Sequence, residues 1–590
     1  MSDPVSPGLS SRLSKLNLFK GSRRRNAEDN EDKGEEVDAG TVAGGGHSTR
    51  PTDITEHKLR VSEALQLFLD KQGVVSRSDE ASLHALLEKP HVSVPQHVTD
   101  RSHPLPEYFI SSSHNTYLMA HQLFGVSSAG AYETALVAGA RCIEIDAWDN
   151  PDNHDEPKVT HGYTLVSNIP FRAVCETVRD VVDRERAQAP CDQGYQAAPV
   201  VISLENHCDA YGQLRLVDIM KQVWGDRLLA EAINHDMPDE HVPLEKLGSS
   251  IVVIVEYHLP NEVDSSSSSS SDDSSDDEEE KKAREDYKAK KKAAGPTIIV
   301  PELAALGVYA QSVKPVNNSW YDASTDGTLK DGPHHHLINV SEAGLAAHLS
   351  APHAPDIARH NARHLMRVFP KGTRISSRNL PPVAFWGLGA QICALNWQTF
   401  GASMQLNEAL FAGTAGYVLK PPVLRADGSG VITSSRHNKI LRLQVAGATD
   451  LPLPEGRKDD GSDAKPYLTC SLYYPSPTDP SGVVIEKRKT GAYRQHKALS
   501  FLHGGDEKNP PQSDPLWDET LEWEFDDTSE LVFLRMLIKS DDSFSANPVF
   551  AVAAVRLLYV VPGWSFIRML DLKGRETKCS LLVKFEIGDI

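Results

Sequence analysis

Two acidic residues, Glu144 and Asp146, lie two positions apart in the segment RCIEIDAW at residues 141–148. Polar and apolar residues alternate there, which predicts a β-strand whose two carboxylates project from the same face, roughly 6–7 Å apart at Cα. A carboxylate pair at this spacing can hold one cation. Histidines flank the pair along the chain, at His114 and His161. The segment is therefore a candidate cation site with ionisable neighbours.

Two further apolar runs also end in side chains that could take part in chemistry. Residues 108–113 lead to His114 and Asn115, and residues 200–204 lead to Glu205. Strands that each end in ionisable or amide groups are typical of a barrel of parallel strands, which carries its chemistry at the carboxyl-terminal rim. Any one of these residues alone is more simply explained as a surface charge or a loop histidine satisfied by its neighbours. Their joint placement at strand ends favours a site.

Several longer segments resemble eukaryotic phosphoinositide-specific phospholipase C of the delta-like or fungal type. The segments that resemble the X half of its barrel are SSHNTYL (112–118), RCIEID (141–146), HGYT (161–164) and SLENHC (203–208). The segments that resemble the Y half are FW (385–386), QICALNWQT (391–399) and GYVLKP (416–421). The resemblance implies a TIM-type α/β barrel that is split into an X half (104–260) and a Y half (297–425).

The length, charge and cysteines of the chain limit the other possibilities. With 590 residues it is too long for a single core, which predicts two or three domains. Its formal net charge of −20 argues against nucleic acid as a partner and requires any membrane docking to be local. No long apolar run predicts a transmembrane helix or a signal peptide, and the seven cysteines show neither metal-ligand spacing nor a disulfide framework. These features predict a reduced, cytoplasmic protein.

Composition divides the rest of the chain into four regions. Residues 1–50 are predicted to form a disordered tail, and residues 261–296, a serine run followed by acidic and basic stretches, a disordered linker. Residues 51–100 contain two helix-like runs and resemble a remnant of the family's EF-hand lobe. This remnant has no calcium loop, and we expect no pleckstrin-homology domain before it. Residues 436–590 alternate short strands with loops of Pro, Gly, Asp and Ser, which predicts a β-sandwich.

The position of this sandwich and its DPLWD segment (514–518) make it resemble the C2 domain that closes chains of the family. In calcium-binding C2 domains the loops supply several aspartates. Asp542 matches one of these positions, whereas Ser540 occupies the place of another acid. We therefore expect no tight calcium binding in the sandwich, and a role in packing or weak lipid contact.

The resemblance implies a catalytic Ca²⁺ held by oxygen ligands. These ligands are Asn115, Glu144, Asp146 and Glu205. It also implies that His114 hydrogen-bonds the phosphoryl oxygen, and that His161 protonates the departing glycerol oxygen and later activates water. Either Glu144 or Asp146 is the base for the inositol 2-hydroxyl. The reaction would release diacylglycerol and form a cyclic phosphodiester, which water then opens.

The residues that would meet the lipid head group depart from the family pattern. Relatives that prefer the bisphosphorylated lipid carry two lysines at the positions of Ile254 and Glu256. The serine that contacts the ring in the family falls at Asn339, and the tyrosine that stacks on inositol falls at Phe369, beside a retained Arg367. Because Glu256 would repel a phosphate, we expect a preference for phosphatidylinositol or its monophosphate over the bisphosphate.

Together these features predict a phosphoinositide phospholipase C of intracellular lipid signalling. We expect it to act as a monomer on its membrane lipid, peripherally associated with the cytoplasmic membrane surface. The alternative is a catalytically silent phosphoinositide-binding or scaffold protein that recruits partners through the sandwich and the linker. The intact set of His114, His161 and the acids favours the enzyme.

Overall fold

The computed structural model describes residues 59–118, 128–160, 168–189, 197–259, 298–314, 318–322, 332–349, 353–371, 378–430, 438–452, 464–476, 482–495, 509–541 and 548–590, with the single residues 32, 35, 329, 432 and 479. His161, Asp542 and the predicted linker 261–296 lie outside the described residues. The predicted tail 1–50 also lies outside them, except for Asp32 and Glu35.

Two helices precede the barrel, α1 (Glu63–Lys71) and α2 (Glu80–Glu88). The side chain of Ser62 caps α1 by accepting a hydrogen bond from the backbone N–H of Leu65. The apolar face of α1 packs against the carboxyl-terminal part of the chain, where Phe68 meets the Trp564 ring edge-on at 5.4 Å. The helical segment therefore docks on the sandwich that follows the barrel.

Parallel strands form a closed barrel between residues 108 and 393. In chain order, the strands of the barrel sheet are β1 (Tyr108–Ile110), β2 (Cys142–Trp148), β3 (Lys158–Val159), β4 (Ile169–Pro170), β5 (Val200–His207), β6 (Ile251–Glu256), β7 (Gln311–Val313), β8 (His336–Ser341), β9 (Leu365–Phe369), β10 (Ile392–Cys393) and β11 (Tyr417–Leu419). Parallel pairing runs from β2 to β5, onward from β5 to β10, and from β10 to β1. A parallel bridge between Ser112 and Cys142 closes the ring. The predicted TIM-type barrel is confirmed.

The remaining strands of this sheet extend it without entering the ring, because β3, β4 and β11 all pair antiparallel. The helices of the barrel are α3 (Ala129–Val137), α4 (Phe171–Gln188), α5 (Ala210–Trp224), α6 (Leu244–Leu247), α7 (Pro301–Ala304), α8 (Glu342–His348), α9 (Ala354–Arg363), α10 (Pro382–Gly387) and α11 (Ala402–Phe411). Among the described residues, no helix combines the length and the apolar character needed to cross a bilayer.

Alternation along each barrel strand separates two apolar groups. One group faces the interior of the ring and includes Cys142, Val201 and Val252. The other packs under the surrounding helices and includes Ile143 and Ile202. Both faces are buried, which explains why these strands are nearly continuous apolar runs. Only at the carboxyl-terminal ends do inward positions become polar, and these ends form the rim.

The carboxyl-terminal part of the chain forms an eight-stranded antiparallel sheet. Its strands are β12 (Lys439–Thr449), β13 (Pro466–Pro475), β14 (Val483–Lys489), β15 (Leu516–Phe525), β16 (Phe533–Ser540), β17 (Val549–Arg556), β18 (Gly563–Leu570) and β19 (Glu576–Asp589). Their order in the sheet is β14-β13-β16-β17-β18-β19-β12-β15. Apolar residues from the inner faces of these strands fill a second core. The predicted C2-type sandwich is confirmed.

The sandwich packs against two helices of the Y half of the barrel. Phe533, at the start of β16, lies 5.7 Å from the Trp386 ring near the end of α10. Two residues further along β16, Arg535 Nε donates to Gln405 Oε1, near the start of α11, at 2.6 Å. In a βα barrel each helix runs from the carboxyl-terminal rim down to the opposite face. Strand β16 therefore ascends towards the rim.

A buried ion pair anchors the start of β2. The Arg141 side chain is 1% exposed and donates two hydrogen bonds to Glu185 of α4, at 3.1 and 2.9 Å. Gly416 has a φ of +80°, and a Cβ there would come within 2.5 Å of the Arg141 side chain. The pair thus fixes the strand that carries the two acids against both a helix and the turn before β11.

Replacing Glu185 by alanine is expected to destabilise the protein by about 3–5 kcal/mol, because the buried guanidinium would lose its charge partner. Urea unfolding followed by circular dichroism measures the free energy of unfolding. The control is Glu133→Ala, which removes an exposed carboxylate paired with Arg184. The free energy of unfolding of that variant should fall by about 0.5 kcal/mol or less. Equal losses in the two variants would contradict the anchoring role of the buried pair.

Candidate active site

Three carboxylates meet at the carboxyl-terminal rim of the barrel. Glu144 and Asp146 extend from β2, and Asp146 lies opposite Glu205 in the parallel pairing of β2 with β5. One oxygen from each residue lies within 4.8 Å of the other two, and within the described ranges this is the sole group of three or more metal-ligating side chains. Glu144 and Asp146 are buried, whereas Glu205 is partly exposed. The rim therefore presents a negative cluster with one open side.

Asp146 is the least compensated acid of this cluster. Its Oδ2 accepts a 2.6 Å hydrogen bond from the Tyr117 hydroxyl, but its buried Oδ1 has no hydrogen-bond partner among the residues that the structure describes. Burial, followed by repulsion from Glu205 and Glu144, raises the pKa of Asp146 well above its usual value. A buried carboxylate oxygen without a partner, close to two other acids, is an arrangement that a bound cation would compensate.

The turn after β1 brings Asn115 to the same acids. Its backbone N–H donates to Glu144 Oε2 at 2.7 Å, and its side-chain oxygen lies 3.0 Å from the Tyr117 hydroxyl. The φ angle of Asn115 is 47°, in the left-handed region that asparagine tolerates better than most residues. This conformation lets the backbone and the amide of one residue both reach the cluster.

His114 is oriented by an asparagine that follows β10. Its Nδ1 lies 2.9 Å from Asn396 Oδ1, while Asn396 Nδ2 donates to the backbone carbonyl of Arg378 at 3.3 Å. Because an amide oxygen can only accept, Nδ1 of the neutral ring carries the proton and Nε2 does not. Nε2 lies 4.0 Å from Glu144 Oε2, and the side chain is 18% exposed. Nε2 therefore faces the acid cluster beside Glu144.

A buried arginine on β9 partly neutralises the acids. Arg367 donates to Glu144 Oε1 at 2.5 Å and to Asn339 Oδ1 at 3.2 Å. Its guanidinium carbon lies 5.5 Å from the centre of the Phe369 ring. The structure therefore brings together all three residues that the sequence assigned to the head group. It also joins them to Glu144 through an ion pair that the sequence analysis did not anticipate.

Ile254 and Glu256, the two positions of β6 that depart from the family pattern, both lie on the inside of the barrel. Ile254 is in register with Ser203 of β5 and packs in the interior apolar group. Glu256 is in register with Ser312 of β7. Burial, followed by repulsion from Glu205, raises the pKa of Glu256, and the ammonium group of Lys314 opposes this shift. Glu256 therefore adds negative charge to the neighbourhood of the rim acids.

Residues 101–257 match the family described as phosphatidylinositol-specific phospholipase C, X domain, and residues 303–423 match the Y domain of the same family. These two ranges are an X domain and a Y domain of the phosphatidylinositol-specific phospholipase C family. The prediction from the sequence motifs is therefore confirmed. The two matches contain the eight strands of the barrel and all the rim residues described above.

Relatives within the family cover most of this chain. The protein named 1-phosphatidylinositol 4,5-bisphosphate phosphodiesterase delta-3 from Homo sapiens is 32% identical over 510 residues, which are 85% of this chain and 58% of the relative. The protein named 1-phosphatidylinositol 4,5-bisphosphate phosphodiesterase 1 from Candida albicans is 30% identical over 550 residues, 82% of this chain and 48% of the relative. The chain thus spans about half of the length of these relatives.

The crystal structure of S. officinalis PLC21 superposes with a TM-score of 0.65 at 22% identity, over 99% of this chain and 69% of that chain. The crystal structure of L. pealei PLC21 superposes with a TM-score of 0.64 at 23% identity, over 99% of this chain and 68% of that chain. At such identities the likeness concerns the fold. Both the family barrel and the sandwich that follows it are therefore shared.

Two residues that hold the site in place were not singled out in the sequence. Tyr117 and Asn396 both lie in motif segments of the family, yet nothing local shows what they contact. Tyr117 reaches Asp146 across 29 positions, and Asn396 reaches His114 across 282. A tyrosine two positions after Asn115 was the one signal in the sequence, and it does not show which residue the tyrosine contacts.

Replacing Asp146 by asparagine is expected to stabilise the protein in the presence of EDTA, because one of three crowded negative charges is removed without a change of shape. The free energy of unfolding should rise by about 1 kcal/mol or more. Chemical unfolding in EDTA measures it. Asp152→Asn alters an exposed acid in the loop after β2 and serves as the control, with no change expected. A less stable Asp146→Asn variant would show that repulsion does not dominate here.

Proposed function

We propose that the protein is a calcium-dependent phosphoinositide phospholipase C, which hydrolyses phosphatidylinositol or its phosphates to diacylglycerol and inositol phosphates. The observation that carries the proposal is the group of three rim carboxylates, in which the buried Asp146 Oδ1 has no hydrogen-bond partner within the described ranges. Membership of the family and the relatives named as phosphodiesterases support the same reaction class.

The donor set at the rim fits Ca²⁺. The carboxylates of Glu144, Asp146 and Glu205 would hold the ion together with the amide oxygen of Asn115. These donors are all oxygen atoms, which this hard cation prefers, and Ca²⁺ tolerates the irregular geometry of two buried acids and one partly exposed acid. When bound, the ion would lower the pKa of the inositol 2-hydroxyl and stabilise charge on the phosphoryl oxygens.

The side chains supply the proton transfers. His114, held by Asn396 through Nδ1–H, hydrogen-bonds a phosphoryl oxygen through Nε2 when the ring is protonated on both nitrogens. Glu144 or Asp146 takes the proton of the inositol 2-hydroxyl as that oxygen attacks phosphorus and forms the cyclic phosphodiester. His161, which lies outside the described residues, protonates the glycerol oxygen as diacylglycerol leaves, and then activates the water that opens the ring.

The substrate is a membrane lipid, so the proposed enzyme works at a membrane surface as a peripherally associated protein. We propose that it does so from the cytoplasm, as a monomer, in intracellular lipid signalling. The head group would meet Arg367, Asn339 and Phe369, which lie together beside Glu144.

Incubation with vesicles containing phosphatidylinositol, its monophosphate or its bisphosphate at micromolar calcium is expected to release soluble inositol phosphate, and a calcium chelator should abolish the release. His114→Ala and His161→Ala should each lower turnover by about two to three orders of magnitude, since a proton-transfer or hydrogen-bonding group is lost. The measurement is the rate of inositol phosphate release.

His97→Ala is the matched control, because this histidine is exposed and lies before the barrel. It should turn over lipid as the parent does. If none of the three lipids gave product, and His161→Ala were indistinguishable from the parent, the alternative of a catalytically silent phosphoinositide-binding or scaffold protein would be favoured.

Glu256 provides the basis for a proposed preference among the lipids. In the barrel interior it sits near Glu205, and the pKa of Glu256 is raised by burial and by that second carboxylate. A 4- or 5-phosphate brought next to it would meet a repulsion on the order of a kcal/mol or more. Arg367 already forms an ion pair with Glu144, which limits the charge it can offer a phosphate. We therefore propose that phosphatidylinositol or its monophosphate is preferred over the bisphosphate.

Glu256→Lys is expected to raise the turnover of the bisphosphate relative to phosphatidylinositol by about tenfold, because repulsion is replaced by attraction. Adding Ile254→Lys should enlarge the effect. Turnover of each lipid in mixed vesicles is the measurement. Glu245→Lys, on α6 at the opposite face of the barrel, makes the same charge change and should leave the ratio unaltered. A parent enzyme that already cleaves the bisphosphate as fast as phosphatidylinositol would contradict the preference.

A further inference from the structure

Two aromatic side chains lie directly beyond the acids at the rim. Trp148 is the last residue of β2 and follows Asp146 by two positions, and His207 is the last residue of β5 and follows Glu205 by two positions. Side chains two positions apart on a strand project from the same face. The two aromatic residues therefore lie on the same side of their strands as the acids, one step closer to the end of each strand.

The register of the two strands sets the aromatic residues beside each other. Asp146 pairs with Glu205 in the parallel ladder, and Trp148 pairs with His207 in the same ladder. The indole and imidazole rings are stacked, with their centres 4.0 Å apart and an angle of 18° between their planes. Such a stack limits the orientations that the imidazole can adopt. A pair of acids and a pair of rings thus follow one another along β2 and β5.

The imidazole also contacts the acid of its own strand. His207 Nε2 lies 3.2 Å from Glu205 Oε1, and the two side chains are 25% and 40% exposed. Because an ionised carboxylate can only accept hydrogen bonds, the nitrogen that faces it carries a proton and is the donor. The contact therefore links the direction of the Glu205 carboxylate to the stacked rings.

Glu205 is the rim acid for which such a link has the largest effect. Glu144 is buried in an ion pair with Arg367, and Asp146 is buried beside the Tyr117 hydroxyl. Glu205 is much more exposed than either, and its side chain is long. A long side chain near solvent has more conformational freedom to lose when it binds an ion. A neighbour that restricts it in advance lowers this cost.

We propose that His207 is a positioning residue for Glu205, which holds this carboxylate beside Asp146 in the orientation that binds the cation, while Trp148 holds the imidazole. His207 acts through Glu205 and is not itself a ligand. The inference rests on the proposed function, because it presumes that a cation binds at the rim. Loss of a group that orients a metal ligand typically weakens metal binding by about 10–100-fold.

Isothermal titration calorimetry of the full chain with Ca²⁺, without lipid, tests this role. The binding that Asp146→Asn abolishes is assigned to the rim. His207→Leu removes the N–H donor and is expected to weaken that binding by about tenfold or more. His207→Gln keeps an N–H donor on a side chain of similar reach and should recover most of the loss. A merely structural residue would not show this recovery of affinity.

His103→Leu is the matched control. His103 is 30% exposed, and its Nδ1 lies 2.7 Å from Glu107 Oε2, ahead of β1 and therefore at the opposite face of the barrel. This variant loses a similar contact between a histidine and a glutamate, and it should bind calcium as the parent does. In EDTA, His207→Leu should not lower the unfolding midpoint more than His103→Leu does, because both contacts are partly exposed.

The possible failures of the proposal differ in the calorimetry. Equal affinities of the parent and His207→Leu would overturn the positioning role and leave the proposed function intact. An equal loss of affinity in His207→Leu and His103→Leu would also overturn it, since the effect would then not arise at the rim. A parent that binds no calcium would overturn the proposed function, and the positioning role with it.

Discussion

Three carboxylates held within 4.8 Å of one another at the rim of a closed barrel are the constraint on which the rest of the structure depends. Like charges at this separation repel strongly where water is excluded, and folding alone would favour their dispersal or protonation. The protein compensates them only in part. Arg367 neutralises Glu144, and Tyr117 donates to one oxygen of Asp146, while the other oxygen meets no hydrogen-bond donor in the described part of the chain. The remaining negative charge is the basis of the cation site proposed at the rim.

The barrel holds these acids by interactions that lie away from the rim. Parallel register between β2 and β5 sets Asp146 opposite Glu205, and slippage by one residue would turn the acids outward into the apolar layer under the helices. The bidentate pair between Arg141 and Glu185 fixes the start of β2. Apolar burial on both faces of the strands thus stabilises an arrangement that its own charges oppose.

A rim that is negative, on a chain of net charge −20, is poorly suited to approach an anionic membrane. Positive charge near the proposed substrate is internal and already engaged, as with Arg367, or opposes a neighbouring acid, as with Lys314. The sandwich packs on α10 and α11 through Phe533 and Arg535, which sets its position beside the Y half of the barrel.

The sequence by itself determined the chemical groups and their places on strands. Alternation is a local property, so the strand with Glu144 and Asp146 could be predicted. The order of the motifs predicted the barrel, and short strands separated by turn residues predicted the sandwich. Which groups touch was decided only by the tertiary structure, because strand register and packing set distances between distant segments. Arg367, assigned from sequence to the head group, also pairs with Glu144, 223 positions away, and the raised pKa of Asp146 results from burial and from neighbours that meet only in the folded barrel.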